Sequence, residues 1–123
     1  MHPSRSTRIS YTEQVSQVVK LLQGKWILQI LCAMRAGPVR LSELKRKIPS
    51  ASNKALTASL RSLEAAGIVV RRDLSETVLH VEYRFAETMQ EPLVVLLDHL
   101  AEWGKLYDSI ELAAPLQPTS GGD

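Results

Sequence analysis

Between residues 50 and 68 the chain reads SASNKALTASLRSLEAAGI. Leu56, Leu60 and Leu63 recur at the spacing of one helix face, so that face is expected to pack inward. Ser52 suits the N-cap, because its hydroxyl can accept from a free backbone N–H of the first turn. Gly67 suits the C-terminus, where a left-handed residue is commonly needed. Directly afterwards the period changes. Ile68, Val69 and Val70 are β-branched and lead into Arg71-Arg72. From Leu79 to Phe85 apolar Leu79, Val81, Tyr83 and Phe85 alternate with polar His80, Glu82 and Arg84, the pattern of a half-buried strand. The linking residues 73–77 are expected to form the tip of a two-stranded hairpin. A capped amphipathic helix running straight into a hairpin leaves few folds open.

Upstream, Val15, Val18, Val19 and Leu22 fall at a helical period over residues 13–22. Gly24 interrupts, and Trp26, Ile27, Ile30, Leu31 and Met34 mark a second helix. Gly37-Pro38 ends it. Val39-Arg40-Leu41 is expected to pair as a minor strand. Ser42 is the expected N-cap of a short helix over residues 43–48, with Leu44 and Ile48 inward. Pro49-Ser50-Ala51 makes a turn. Downstream, Pro92 is expected in the first turn of a long helix reaching about residue 112. Its apolar positions, Leu93, Leu96, Leu97, Leu100, Trp103, Tyr107 and Ile110, form a heptad-like seam. Residues 1–12 read as a flexible arm and residues 113–123 as a disordered tail. Residues 13–112 are expected to form one domain.

The order is helix, helix, short strand, helix, tight turn, helix, hairpin, long helix. This is a mainly α chain with a small β-hairpin: a winged helix-turn-helix with added N- and C-terminal dimerisation helices. In such a motif the second helix of the pair enters the major groove of DNA. The outer face of residues 53–66 fits that task. It carries Lys54, Thr57, Ala58 and Arg61, small or cationic and without an acid. Thr57 and Ala58 allow close approach and can touch a thymine methyl. Arg61 and Lys54 can reach guanine or phosphate, and Asn53 can pair with adenine or meet the backbone. The free N–H groups near Ser52 favour a phosphate. Arg71, Arg72 and Arg84 lie on or beside the hairpin, where a wing meets the minor groove or the backbone. Arg40 and the run Lys45-Arg46-Lys47 are candidates for phosphate contacts, with a solvated helix face as the equal alternative for the run.

Charge supports a polyanion partner. Net charge is only +2 in 123 residues, but its distribution is uneven. Residues 35–84 hold ten Lys/Arg against five acids, a balance of +5. Residues 85–123 hold one Lys against seven acids, a balance of −6. A basic middle beside an acidic C-terminal part points to a polyanion-binding surface in the middle.

Gly24-Lys25-Trp26, Leu41-Ser42-Glu43-Leu44, Leu56-Thr57, Leu60, Leu63-Glu64, Gly67-Ile68-Val69, Val81-Glu82-Tyr83 and Ala101-Glu102-Trp103-Gly104 form an ordered set. In that order they resemble the HxlR-type family of winged-helix transcription regulators, over about residues 13–107. The resemblance implies a prokaryotic, homodimeric regulator whose first and last helices build the dimer and whose recognition helix and wing bind operator DNA. Two departures stand out. Where the family often has wing prolines and a Leu-Thr-x-x-Gly start to the last helix, this chain reads DLSETVLH and FAETMQEPL. Where several redox-sensing relatives carry Cys-Pro ahead of the first helix, it reads Glu13-Gln14, so redox sensing by that route is not expected.

Two apolar stripes remain for a dimer seam: Val15, Val18 and Leu22 on the first helix, and Leu96, Leu100, Trp103 and Tyr107 on the last. A two-fold dimer would set recognition helices about 34 Å apart on a palindromic site. Packing within one chain is the competing use of part of each stripe. Trp26, Trp103, Tyr107 and nearby leucines are candidates for an effector pocket at the dimer interface, although core packing explains them equally. Cys32, in the apolar run WILQILCAM, is expected to be a buried, inert thiol; a redox- or ligand-sensing thiol is the alternative. No catalytic set, phosphate loop, cofactor signature or metal-ligand spacing is present. The longest apolar runs fall short of the roughly 18 residues a membrane span needs, and residues 1–14 lack a secretion-signal core. The expected location is the cytoplasm. A winged-helix protein-interaction module without DNA contact is the alternative function, but it calls for an acidic or apolar recognition face.

Overall fold

The computed structural model describes residues 9–113, with side chains as far as Ile110. The expected arm up to residue 8 and the expected tail from residue 114 lie outside the described residues. The chain forms two compact units, one ending at Ala86 and the other beginning at Glu87. The first contains α1 (Tyr11–Leu22), α2 (Ile27–Ala33), α3 (Leu41–Lys47), α4 (Asn53–Ala65), β1 (Val69–Asp73) and β2 (Val81–Phe85). The second is built on α5 (Glu87–Ala113).

α1 starts two residues earlier than its apolar period suggests. Ser10 caps it: its hydroxyl accepts from the Glu13 N–H at 3.0 Å, and the Glu13 carboxylate accepts from the Ser10 N–H at 3.0 Å. This reciprocal pair satisfies two helix-end donors at once. None of the residues of α1 is buried.

The turn into α2 depends on Gly24. A Cβ there would stand 2.9 Å from Ile27 Cγ1 and 3.2 Å from the Leu21 carbonyl oxygen. Trp26 then takes a left-handed conformation, φ 69°, which is rare for a bulky residue. It occupies the N-cap position of α2, so the helix begins one residue later than its apolar pattern suggests. Ile27, Ile30, Leu31 and Met34 all turn inward.

Cys32 corrects the sequence reading, because it is exposed. One residue on from Leu31 is a rotation of about 100°, which carries Cys32 off the buried stripe. Its neighbour one turn back, Leu28, is exposed as well.

Val39 pairs with Tyr83 through two hydrogen bonds of 2.9 and 2.8 Å, an isolated bridge beside the hairpin. α3 then begins at Leu41, so Ser42 lies within the first turn and is not the cap. The Glu43 carboxylate takes over that role, accepting from the Arg40 N–H at 2.7 Å. α4 is bounded as expected: Ser52 Oγ accepts from the Ala55 N–H at 3.0 Å. At its other end Gly67 has φ 79°, and the Gly67 and Ile68 N–H groups donate to the Glu64 and Leu63 carbonyls at 2.9 and 3.0 Å. That pair of bonds closes the helix in a Schellman turn. Leu56, Leu60 and Leu63 are fully buried.

β1 and β2 pair antiparallel, with Val69 opposite Phe85, Arg71 opposite Tyr83, and Asp73 opposite Val81. Opposed residues share a sheet face. Val69, Tyr83 and Phe85 are therefore the buried anchors of one face. The expected inward alternation stops short of Leu79, which is 75% exposed and lies outside the strand. At the tip Leu74 N–H donates to the His80 carbonyl at 2.7 Å, so pairing gives way to a loop before Leu79 is reached.

α5 corrects the position of Pro92, which lies inside the helix rather than in its first turn. Glu87 opens the helix one turn earlier, and Pro92 leaves the Thr88 carbonyl without its usual donor four residues on. Leu93 and Leu97 are buried, whereas Leu100, Trp103, Leu106, Tyr107 and Ile110 are exposed. Among the described residues, no helix is long and apolar enough to cross a membrane.

Candidate nucleic-acid interface

With its leucines turned inward, α4 presents Asn53, Lys54, Thr57, Ala58 and Arg61 together along one shallow groove. Asn53, Lys54, Ala58 and Arg61 are exposed, and Thr57 is half-buried. The first turn of α4 contains no acid, so nothing on the helix offsets the partial positive charge of its free N–H groups. Among the described residues, no ion pair involves Lys54 or Arg61. Ser52 sits at the same end, its oxygen engaged by the Ala55 N–H. Its hydroxyl proton stays available to a phosphate.

Ser59, on the flank of α4, donates to the Lys25 carbonyl at 3.1 Å. This ties the helix to the α1–α2 turn, where the Lys25 ammonium lies 5.5 Å from the Trp26 ring centre. The Ser59 tie is not visible from sequence spacing, because its partners are 34 positions apart.

The cations outside α4 divide. Arg40 donates from Nη2 to the Leu79 carbonyl at 3.1 Å, bracing the wing where its tip loop leads into β2. Lys45 donates from Nζ to the carbonyls of Pro49 and Ala51 at 2.9 and 2.7 Å. Arg46 and Lys47 are exposed. On the wing, Arg71 and Arg72 lie on opposite sheet faces, because successive strand residues alternate. Arg71 stands opposite Tyr83, and Arg72 stands opposite Glu82. One flat surface cannot meet both in the same way. The tip is fixed by the Asp73 carboxylate accepting from the Ser75 N–H at 2.9 Å, and by Ser75 Oγ accepting from the His80 N–H at 2.8 Å. Hydrogen bonds from Ser75, side chain first and then backbone, hold the Asp73 carboxyl below its ordinary 3.8, and Arg71 adds to that effect. His80 Nε2 lies 3.0 Å from Glu82 Oε2.

Of the expected seam residues, Val15 and Val18 on α1 and Leu100, Trp103 and Tyr107 on α5 are exposed, while Leu22 and Leu96 are half-buried. Among the described residues, no cluster of His, Cys, Asp or Glu is arranged to hold a metal ion.

The model of the family described as HxlR-like helix-turn-helix matches residues 21–111. An uncharacterized HTH-type transcriptional regulator of Methanothermobacter thermautotrophicus is 37% identical over 99 residues, which cover 80% of this chain and 75% of that one. The crystal structure of the HTH-type transcriptional regulator YtcD is 36% identical, with a TM-score of 0.69 over 77% of this chain and 96% of that one. A MarR-family regulator from Enterococcus faecalis has the same fold, with a TM-score of 0.77 at 24% identity over 90% of this chain and all of that one.

Proposed function

The chain belongs to the HxlR-like helix-turn-helix family and is a winged-helix transcriptional regulator; on that premise we propose that it occupies a palindromic operator as a homodimer. α4 enters the major groove with Lys54, Thr57, Ala58 and Arg61 toward base edges. Asn53 and the Ser52 end meet a phosphate. The wing lies along the adjoining backbone, one of Arg71 and Arg72 toward it. Arg40 supports the wing from behind through the Leu79 carbonyl.

The observation that carries this reading is the outer face of α4: two cations without an ion pair among the described residues, beside small side chains and no first-turn acid. A helix meant for protein contact has no need to keep that face free of acids. A helix meant for phosphate and guanine does. The homodimer reading is supported by the large apolar side chains that each helix leaves exposed, Val15, Val18 and Val19 on α1 and Leu100, Trp103, Leu106 and Ile110 on α5.

The test is selection from a random-sequence duplex pool, followed by gel-shift titration of the selected duplex and a scrambled one. A palindromic consensus bound at least about a thousandfold more tightly than the scrambled control is expected. Binding that never rises above the scrambled duplex at several salt concentrations would refute operator recognition.

A further inference from the structure

Lys45 belongs to the basic run Lys45-Arg46-Lys47, but its surroundings separate it from its neighbours. Its ammonium donates to two carbonyls of one short connection, Pro49 at 2.9 Å and Ala51 at 2.7 Å. That connection joins α3 to α4. Ala51 is buried, and its own N–H donates to the Ile48 carbonyl at 3.1 Å. The Ala51 carbonyl lies immediately before Ser52, the cap of α4. Lys45 is half-buried, whereas Arg46 and Lys47 are exposed.

An ammonium has three donors and no acceptor. Here two of the three serve turn carbonyls that project past the end of α3, where a cation is favoured by the helix dipole. Charge-assisted bonds of this length are stronger than neutral ones. They bridge both ends of the turn, so they restrain the angle between the two helices of the pair. We propose that Lys45 is a positioning residue for sequence readout: it clamps the turn that sets α4 against α3, and does not act as a phosphate contact. Base recognition needs side chains placed to within hydrogen-bond tolerance. Phosphate attraction tolerates a tilted helix. A loosened turn therefore costs discrimination first.

The inference rests on the operator-binding reading, and its test separates the two. The probes are the duplex that the wild-type protein selects from a random pool and a scrambled duplex of the same composition. Lys45→Met removes the donors and keeps an apolar stem. It is expected to lower the ratio of selected to scrambled affinity by about tenfold or more. The salt slope on the scrambled duplex stays at the wild-type value. Arg46→Gln serves as the contrast: if it meets a phosphate, its slope falls by about 0.9 per protomer with the ratio unchanged. Binding is measured below the melting temperature of each variant, so that a loss of stability alone does not move the ratio. If Lys45→Met lacks the wild-type helical signal, Lys45→Ala, a strong helix former that also removes the donors, gives the same reading. An unchanged ratio in the folded variant overturns the proposal. A slope reduced by about one phosphate contact overturns it too, since Lys45 would then touch DNA. If the wild-type protein selects no sequence, the operator reading itself fails and takes this inference with it.

Discussion

Arg61 projects from α4 beside Thr57 and Ala58, without an ion pair among the described residues, while Arg40 commits its guanidinium to the Leu79 carbonyl. The two arginines should therefore fail differently when removed. Arg61→Ala is expected to weaken binding of the selected duplex by about 1–3 kcal/mol and to relax preference at one base position. Fluorescence anisotropy reads the first effect, and repeated selection reads the second. The circular dichroism spectrum should not change, because Arg61 is exposed. Asp73 offers a pH test at the same scale. Its folded carboxyl is held below 3.8, so its support of the wing tip is fully present above that value. The support is lost as pH falls through the lowered one. The amide resonance of Ser75 should follow the Asp73 titration on acidification and should stop doing so in Asp73→Asn. Sequence made the free face of α4 legible, because helical period alone separates Leu56, Leu60 and Leu63 from Lys54, Thr57 and Arg61. It could not assign Arg40 or Lys45. Both meet carbonyls whose position depends on how the chain folds back, and a basic residue with a folded partner looks like any other basic residue in a string.

α4 is bounded by chemistry at both ends, and each end can be tested. Gly67 has φ 79° with open space where a Cβ would stand. Gly67→Ala therefore meets no clash and should cost only the backbone term, about 1–2 kcal/mol in urea unfolding. Pro92 tests the opposite case. It is exposed and lies inside α5, so Pro92→Ala restores a backbone donor without opening a cavity. The variant should be more stable by up to about 3 kcal/mol, read as a higher melting temperature. Elements with strong periods were legible: α4 sits where its apolar residues put it, and α2 and β2 do so except at their starts, where Trp26 and Leu79 fall outside them. Boundaries were legible only where the capping residue was the usual one. Ser52 and Gly67 announced α4, whereas α3 is capped by Glu43 reaching back to Arg40, and Ser42 offered a plausible but unused alternative. The left-handed Trp26 gave no signal at all, since sequence reserves that conformation for glycine or asparagine.

The whole molecule combines a basic middle with an acidic α5, and it leaves apolar side chains exposed on both α1 and α5. Glu87, Glu91, Asp98, Glu102 and Asp108 discourage α5 from approaching phosphate, which leaves its exposed Leu100, Trp103, Leu106 and Ile110 for a protein partner. In the proposed homodimer a second copy covers that stripe with its own and brings a second recognition helix. Sedimentation at micromolar concentration should give a dimer. Trp103→Glu, 66% exposed in the single chain, should fold normally and sediment as a monomer. The same should hold for Val18→Glu if α1 shares the seam. The consequence for DNA is sharper than the change in mass. A dimer on two half-sites neutralises twice as many phosphates as a protomer on one, so the slope of log affinity against log salt should fall by about half in the monomeric variant. Loss of specific affinity without a change in slope would mean that one protomer makes all the phosphate contacts. The two half-sites would then have no physical basis.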